Sequence, residues 1–124
     1  MDLKQIFKKH NISGNLGSFK DIKEAWESVV NECSEGYNEN IYELDHDTSI
    51  RTEIDNILED DDLKILEDYK SFSEHIDCLD KVFVSLVRFI SDDNELPFWK
   101  RKYVLKQSGP IYKESVWDVY RIEL

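Results

Sequence analysis

The side chains best suited to acid–base or metal chemistry are three histidines and two cysteines, scattered along 124 residues. One histidine, His46, has acidic neighbours, in the run Glu43-Leu-Asp-His-Asp47. A histidine beside carboxylates is compatible with a metal site or with a general acid–base pair. The same pattern is typical of a capped, solvated turn, and the sequence leaves both interpretations open.

Motifs that define the common enzyme classes are missing from the sequence. There is no glycine-rich phosphate loop, no GxSxG elbow and no HExxH pair, and the acidic run Asp60 to Asp62 is consecutive rather than alternating as in a calcium loop. Cys33 and Cys78 lie far apart without CxxC spacing, so we predict neither a zinc site nor a disulfide and expect both thiols to be buried. We therefore predict no catalytic residue, no cofactor and no metal, and a protein that is not an enzyme.

The charge of the chain is strongly negative and unevenly distributed. Its 27 acidic and 16 basic residues give a net charge of −11, which argues against nucleic acid or an anionic membrane as a partner and favours a cationic one. Glu43 to Asp68 holds eleven acidic and two basic residues, whereas Pro97 to Leu124 holds three acidic and six basic residues. Because net charge alone is equally compatible with a role in solubility, this polarity is the stronger indication of a binding surface.

The elements that position these residues begin with helices. Asp2 is placed to cap a short first helix, and Ser18 caps a second, in which apolar residues from Phe19 to Cys33 recur at helical spacing until Gly36. Trp26 is in phase with this apolar face and is predicted to lie in the core. The first ten residues lack the apolar stretch of a signal peptide or membrane span, so we expect a cytoplasmic protein.

The middle of the chain predicts further helical regions. Tyr37 to Leu44 is ambiguous between a turn and a short helix, after which one residue of Asp47-Thr-Ser49 is expected to cap a helix that carries Ile50 to Leu58. From Asp61 to Ile90 apolar residues continue at intervals of three and four without Gly or Pro. That spacing predicts one long helix, or two with a bend.

The last third of the chain is less regular. Asp92 to Glu95 interrupts the apolar pattern, and the periodicity of the stretch from Phe98 to Tyr103 favours neither helix nor strand. We interpret that stretch as irregular or extended and make no assignment for residues 97–109. Pro110 suits the first turn of a final helix, and the alternating end, Val119 to Leu124, keeps a short C-terminal strand or hairpin as an alternative. We predict a single, mostly α-helical domain over residues 1–124, a compact bundle of four or five helices.

Several dispersed features resemble one family of bacterial proteins. They are Trp26, Gly36-Tyr37, Tyr42-Glu43 through Ser49-Ile50-Arg51, Leu79 to Phe83, and Phe98-Trp99-Lys100-Arg101. Their order is similar to that in immunity proteins of contact-dependent growth inhibition and related polymorphic toxin systems. The resemblance implies a protein that binds the toxic C-terminal domain of a cognate effector, often a nuclease, and blocks its active site inside the producing cell.

An acidic face suits the basic, phosphate-binding cleft of a nuclease. The predicted toxin-facing side chains are Glu43, Asp45, Asp47, Asp55, Asp60, Asp61 and Asp62. Trp99, amid basic residues, is predicted either as a core residue flanked by basic side chains or as a binding patch. Two alternative functions stay open: a small metal-dependent enzyme that uses His46, and an acidic nucleic-acid mimic that blocks DNA-binding proteins.

Overall fold

Five α-helices and one short antiparallel sheet make up the part of the chain that the computed structural model describes, residues 18–91 and 95–124. The helices are α1 (Phe19–Ser34), α2 (Ile41–Leu58), α3 (Asp61–Lys64), α4 (Tyr69–Leu86) and α5 (Pro110–Tyr120). The strands are β1 (Val87–Phe89) and β2 (Tyr103–Leu105), and a 3₁₀ turn at Phe98–Lys100 lies between them in sequence. The predicted mostly α-helical bundle is confirmed. The helix predicted after Asp2 and the run Asp92 to Asn94 lie outside the described residues.

Helix α1 begins and ends as its sequence predicts. The Ser18 hydroxyl oxygen accepts a 3.2 Å hydrogen bond from the Asp21 amide and caps the N-terminus. After Ser34 the chain turns at Gly36, whose φ of 98° lies in the left-handed region that glycine adopts without strain. Trp26 lies fully buried on the apolar face, which confirms its predicted place in the core.

Helix α2 begins earlier than predicted. The Asn40 side chain caps it by accepting a 3.0 Å hydrogen bond from the Glu43 amide, so the expected cap at Asp47-Thr-Ser49 is wrong and those residues lie inside the helix. The apolar pattern conceals the start because the buried face of α2 includes two polar residues, Thr48 and Arg51. A periodicity analysis treats such positions as solvent-facing.

The apolar stretch after Asp61 forms two helices and a strand. Helix α3 is a single turn, and the chain then exposes Ile65, which is 85% accessible, before α4 starts at Tyr69. The prediction of two helices is therefore the correct alternative, but the helical pattern does not continue to Ile90. Val87 instead begins β1, which pairs with β2 in the register Val87↔Leu105.

In the C-terminal region the predicted helix is confirmed, and the position of the strand differs from the prediction. Helix α5 starts at Pro110 as predicted, and the last four residues have no regular structure, so the alternative of a terminal strand is wrong. The hairpin forms between β1 and β2 instead, and residues 97–109 contribute the 3₁₀ turn and β2. Arg121, at φ 55°, ends α5 in the left-handed region and so terminates the helical hydrogen bonding there.

The core lies where α1 packs against α4 and α2. The rings of Trp26 and Phe83 approach to 5.2 Å, and those of Phe19 and Phe72 to 4.8 Å. Cys33 is buried as predicted, whereas Cys78 is exposed, because α4 buries the opposite face through Phe72 and Phe83. None of the helices in the described residues combines the length and apolar character needed to cross a membrane.

Candidate functional site

An open groove with a strongly acidic lining lies where α1, the following loop and α2 meet. It contains five carboxylates, and no lysine or arginine of the described residues lines it. The lining residues are Glu32, Glu35, Gly36, Tyr37, Asn38, Glu39, Glu43 and Asp47. We call this surface the acidic groove.

Each side of the acidic groove comes from a different element. Glu32 lies in the last turn of α1, and Glu35 is its C-cap residue. Glu39 follows in the loop, and Glu43 and Asp47 lie four residues apart on α2, which places them on one face of that helix. The turn at Gly36 reverses the chain and brings the two helix ends together.

Tyr37 forms the buried base of the acidic groove. Its side chain is 3% exposed, and its hydroxyl donates a 2.7 Å hydrogen bond to Asp47 Oδ2. Burial, together with this bond to Asp47, raises the pKa of Tyr37 above its usual value. The hydroxyl is the donor in this bond and holds the Asp47 carboxylate in place.

Two of the groove carboxylates lie where the helix dipole disfavours them. Glu32 and Glu35 are at the C-terminal end of α1, which carries partial negative charge, and the last turn of that helix has no basic residue. Glu43, in the first turn of α2, lies at a favourable position by comparison. Folding alone therefore does not explain why Glu32 and Glu35 are acidic.

The other acidic residues of α2 lie away from the groove. Asp45 is two positions from Asp47 and so points to a different side of the helix. Partial burial raises the pKa of Asp45. Burial also raises the pKa of Tyr120, the last residue of α5, and the charge of Asp45 adds to that increase. Asp55, further along α2, lies 3.9 Å from the Nη1 atom of Arg51.

The run Asp60 to Asp62 has a structural role at the opposite end of α2. Asp60 is mostly buried and caps α3 by accepting a 2.9 Å hydrogen bond from the Asp62 amide. Asp61 lies 3.4 Å from the Lys64 amine. Helix α2 separates these residues from Glu43 by about 25 Å, so the predicted toxin-facing residues do not form one surface. The structure brings Glu43 and Asp47 together, but not the rest of that set.

The arrangement around His46 gives no geometric support to a metal site. His46 is exposed on α2, and its carbonyl oxygen accepts a hydrogen bond from Ser49 in the same helix. Within residues 18–91 and 95–124, no three side chains from His, Cys, Asp and Glu are placed to share a metal ion. The acidic sequence around His46 is therefore spread around a helix rather than gathered on one side.

Comparisons with known proteins do not place this chain in a family. The chain matches no protein-family model, no curated protein and no solved structure.

Trp99 packs over a buried ion pair. The Arg51 guanidinium lies 4.1 Å from the centre of its ring, and the indole N–H donates a 3.0 Å hydrogen bond to the Thr52 hydroxyl. Arg51 in turn makes two 2.9 Å hydrogen bonds to Asp80 on α4. Of the two predictions for Trp99, this arrangement supports packing against the protein's own residues.

Analysis of the sequence missed three residues of the acidic groove: Glu32, Glu35 and Glu39. The predicted acidic segment starts at Glu43, although the acidic stretch of the sequence starts earlier. No lysine or arginine occurs between Lys23 and Arg51, and eight acidic residues do. The absence of basic residues along two helices and their connecting turn is the signal that could have identified the groove.

Proposed function

We propose that this chain is a bacterial immunity protein that binds and neutralises a cognate toxin domain, a nuclease, through the acidic groove. One observation carries the proposal: five carboxylates converge on a concave surface where no described lysine or arginine balances them. The convergence includes Glu32 and Glu35, whose position at the end of α1 disfavours folding. Carboxylates retained against the helix dipole are more readily explained by binding than by stability.

The chemistry of a nuclease suits this surface. A nuclease cleft is lined by basic side chains that bind phosphates, so a groove of opposite charge attracts it over long range and accelerates association. Tyr42 is 66% exposed on α2, but it lies three residues before Asp45 and so on the side of the helix that faces away from the acidic groove.

A nucleic-acid mimic is the second candidate, because exposed Asp61 and Asp62 carry further negative charge beyond the far end of α2, outside the acidic groove. A mimic would use carboxylates along this whole length and would bind many basic proteins. An immunity protein would use the acidic groove and bind one cognate domain. Titration against several unrelated nucleases distinguishes the two functions.

The test is calorimetric titration with the inactivated C-terminal toxin domain encoded immediately upstream in the same genome. We expect one-to-one binding with nanomolar affinity at physiological salt and weaker binding at raised salt. Glu32→Gln combined with Glu35→Gln should weaken binding. Asp61→Asn combined with Asp62→Asn is the matched control, because it removes the same charge far from the groove. No detectable heat at micromolar concentrations would refute the pairing.

A further inference from the structure

The loop that carries Glu35 and Glu39 is held by two hydrogen bonds, one from the first residue of α2 to the middle of α5 and one from the start of α5 to the loop itself. The Ile41 amide at the start of α2 donates a 3.2 Å hydrogen bond to the Ser115 hydroxyl oxygen of α5. The Ile111 amide at the start of α5 donates a 2.8 Å hydrogen bond to Asn38 Oδ1. An amide at the start of each helix thus bonds to a side chain outside that helix, and we call this pair of bonds the Asn38–Ser115 clamp.

Both partners in the clamp are oriented for this role. Ser115 donates its own proton to the Tyr112 carbonyl oxygen at 2.7 Å, which leaves an oxygen lone pair for the Ile41 amide. Helix α5 starts after Gly109, which has no side chain with which to cap it. The Asn38 amide group supplies the missing acceptor.

The backbone of the loop also contacts the backbone just before α5. The Gly109 amide donates a 2.8 Å hydrogen bond to the Tyr37 carbonyl oxygen, and Tyr37 forms a parallel bridge with Ser108. A β-carbon at Gly109 would overlap the side chain of Asn38. The loop between α1 and α2 therefore lies directly on the start of α5.

The clamp acts against a repulsion within the acidic groove. The carboxylates of Glu35, Glu39 and Glu43 repel one another, and the loop that carries the first two contains the conformationally permissive Gly36. Without a fixed anchor, the loop would relax and move its carboxylates apart. A loop that is fixed before binding loses less conformational entropy when a partner binds.

We infer that Asn38 and Ser115 are positioning residues that hold the acidic groove in its binding conformation. The inference rests on the proposed function. Because neither residue is charged, removal of the clamp leaves the electrostatic attraction between the acidic groove and its partner unchanged. The association rate should therefore also stay unchanged. The loss appears in the dissociation rate, since the bound carboxylates must then be ordered by the partner itself.

The first measurement is hydrogen–deuterium exchange of the free full chain, with Asn38→Ala and Ser115→Ala as variants. We expect faster exchange at residues 36–41 and unchanged exchange in the strand Val87–Phe89. Ser115→Thr keeps the hydroxyl and should restore protection. Ser49→Ala is the matched control, because the Ser49 hydroxyl donates to His46 within α2 and removal of that bond leaves the clamp intact. Unchanged exchange in both clamp variants would overturn the inference, whatever the protein binds.

The second measurement is the binding kinetics of the same variants with the inactivated toxin domain encoded upstream. We expect the dissociation rate to rise roughly threefold to tenfold, as for the loss of one or two hydrogen bonds, with an unchanged association rate. Faster exchange at residues 36–41 with an unchanged dissociation rate would show that the clamp exists but does not position a binding surface. Failure of the wild-type protein to bind, with the exchange results as expected, would refute the proposed function and the positioning role built on it, and would leave the clamp as a structural feature.

Discussion

The guanidinium of Arg51 and the carboxylate of Asp80 form a two-point ion pair, with both nitrogen–oxygen distances at 2.9 Å. The Arg51 side chain is 6% exposed and that of Asp80 is 16% exposed, so the pair is largely removed from water. The indole N–H of Trp26 donates a further hydrogen bond to Asp80 at 3.1 Å. One carboxylate on α4 therefore joins α1 and α2.

Loss of the Asp80 carboxylate should destabilise the protein severely. Asp80→Ala leaves the Arg51 charge buried without its partner, and we expect the free energy of unfolding to fall by about 3–5 kcal/mol. Asp80→Asn removes the charge but keeps a side-chain oxygen that accepts the Trp26 hydrogen bond. The difference in unfolding free energy between the two variants therefore separates the contribution of the ion pair from that of the hydrogen bond. Urea unfolding measures both. The control is Asp77→Asn, because the Asp77–Lys81 pair is exposed and should contribute little to stability. An equal fall in the free energy of unfolding for Asp77→Asn and Asp80→Asn would contradict this account.

Gly109→Ala should destabilise the protein through contact with Asn38 rather than through backbone strain. The φ of Gly109 is −84°, which alanine adopts readily, but the added β-carbon would overlap the Asn38 side chain. We expect a loss of about 1–3 kcal/mol in the free energy of unfolding. In an Asn38→Gly background the same substitution should have almost no effect. A loss of the same size in both backgrounds would rule out the overlap as its cause.

Neutralisation of Glu32 or Glu35 should stabilise the protein and weaken its binding. Glu32→Gln and Glu35→Gln each remove a negative charge from the C-terminal end of α1, and we expect each to raise the free energy of unfolding by about 0.3–1 kcal/mol at low salt. Glu43→Gln, at the start of α2, should lower stability while it also weakens binding. Thermal unfolding and calorimetry test the two effects separately; destabilisation by all three substitutions would remove the argument from the helix dipole.

The two cysteines should differ sharply in reactivity. Cys78 is exposed and should react with a thiol reagent in the native protein, whereas buried Cys33 should react only after unfolding. Burial, assisted by the charges of Glu32 and Asp47, raises the pKa of Cys33 from about 9.0 to about 12. The unfolded chain therefore releases this proton first, so stability should decline as pH rises from about 9 towards about 12.

Alkaline unfolding of Cys33→Ala tests the second part of this prediction. The variant should show a shallower decline in the free energy of unfolding over that pH range, and Cys78→Ala should match the wild-type protein. Reaction of two thiols per native molecule would contradict the burial of Cys33.

The sequence predicts those helices whose start, apolar face or end is marked by nearby residues. Helix α1 has a capping serine, an apolar face and a glycine stop, and helix α5 has a proline in its first turn. The start of α2 escapes prediction because Thr48 and Arg51 occupy buried positions. Arg51 is tolerated there only because Asp80, 29 residues away in sequence, neutralises it. No local pattern contains that information.

The sequence predicts that the candidate site is acidic, but it does not predict the full set of residues that form it. The excess of acidic residues and the membership of Glu43 and Asp47 follow from charge counting. Their grouping with Glu32 and Glu35 depends on the reversal at Gly36, which counting along one segment does not capture. The same counting includes Asp60, whose carboxylate caps α3 instead.

The absence of lysine and arginine between Lys23 and Arg51 has a practical consequence for mapping the partner. Trypsin cleaves after those two residue types, so the segment that holds all eight lining residues of the acidic groove leaves digestion as one peptide, Glu24 to Arg51. Amine-directed cross-linkers find no attachment point within it either. Carbodiimide coupling, which joins a carboxylate directly to a lysine of another protein, would mark this peptide and identify the partner's basic side chains in the same spectrum.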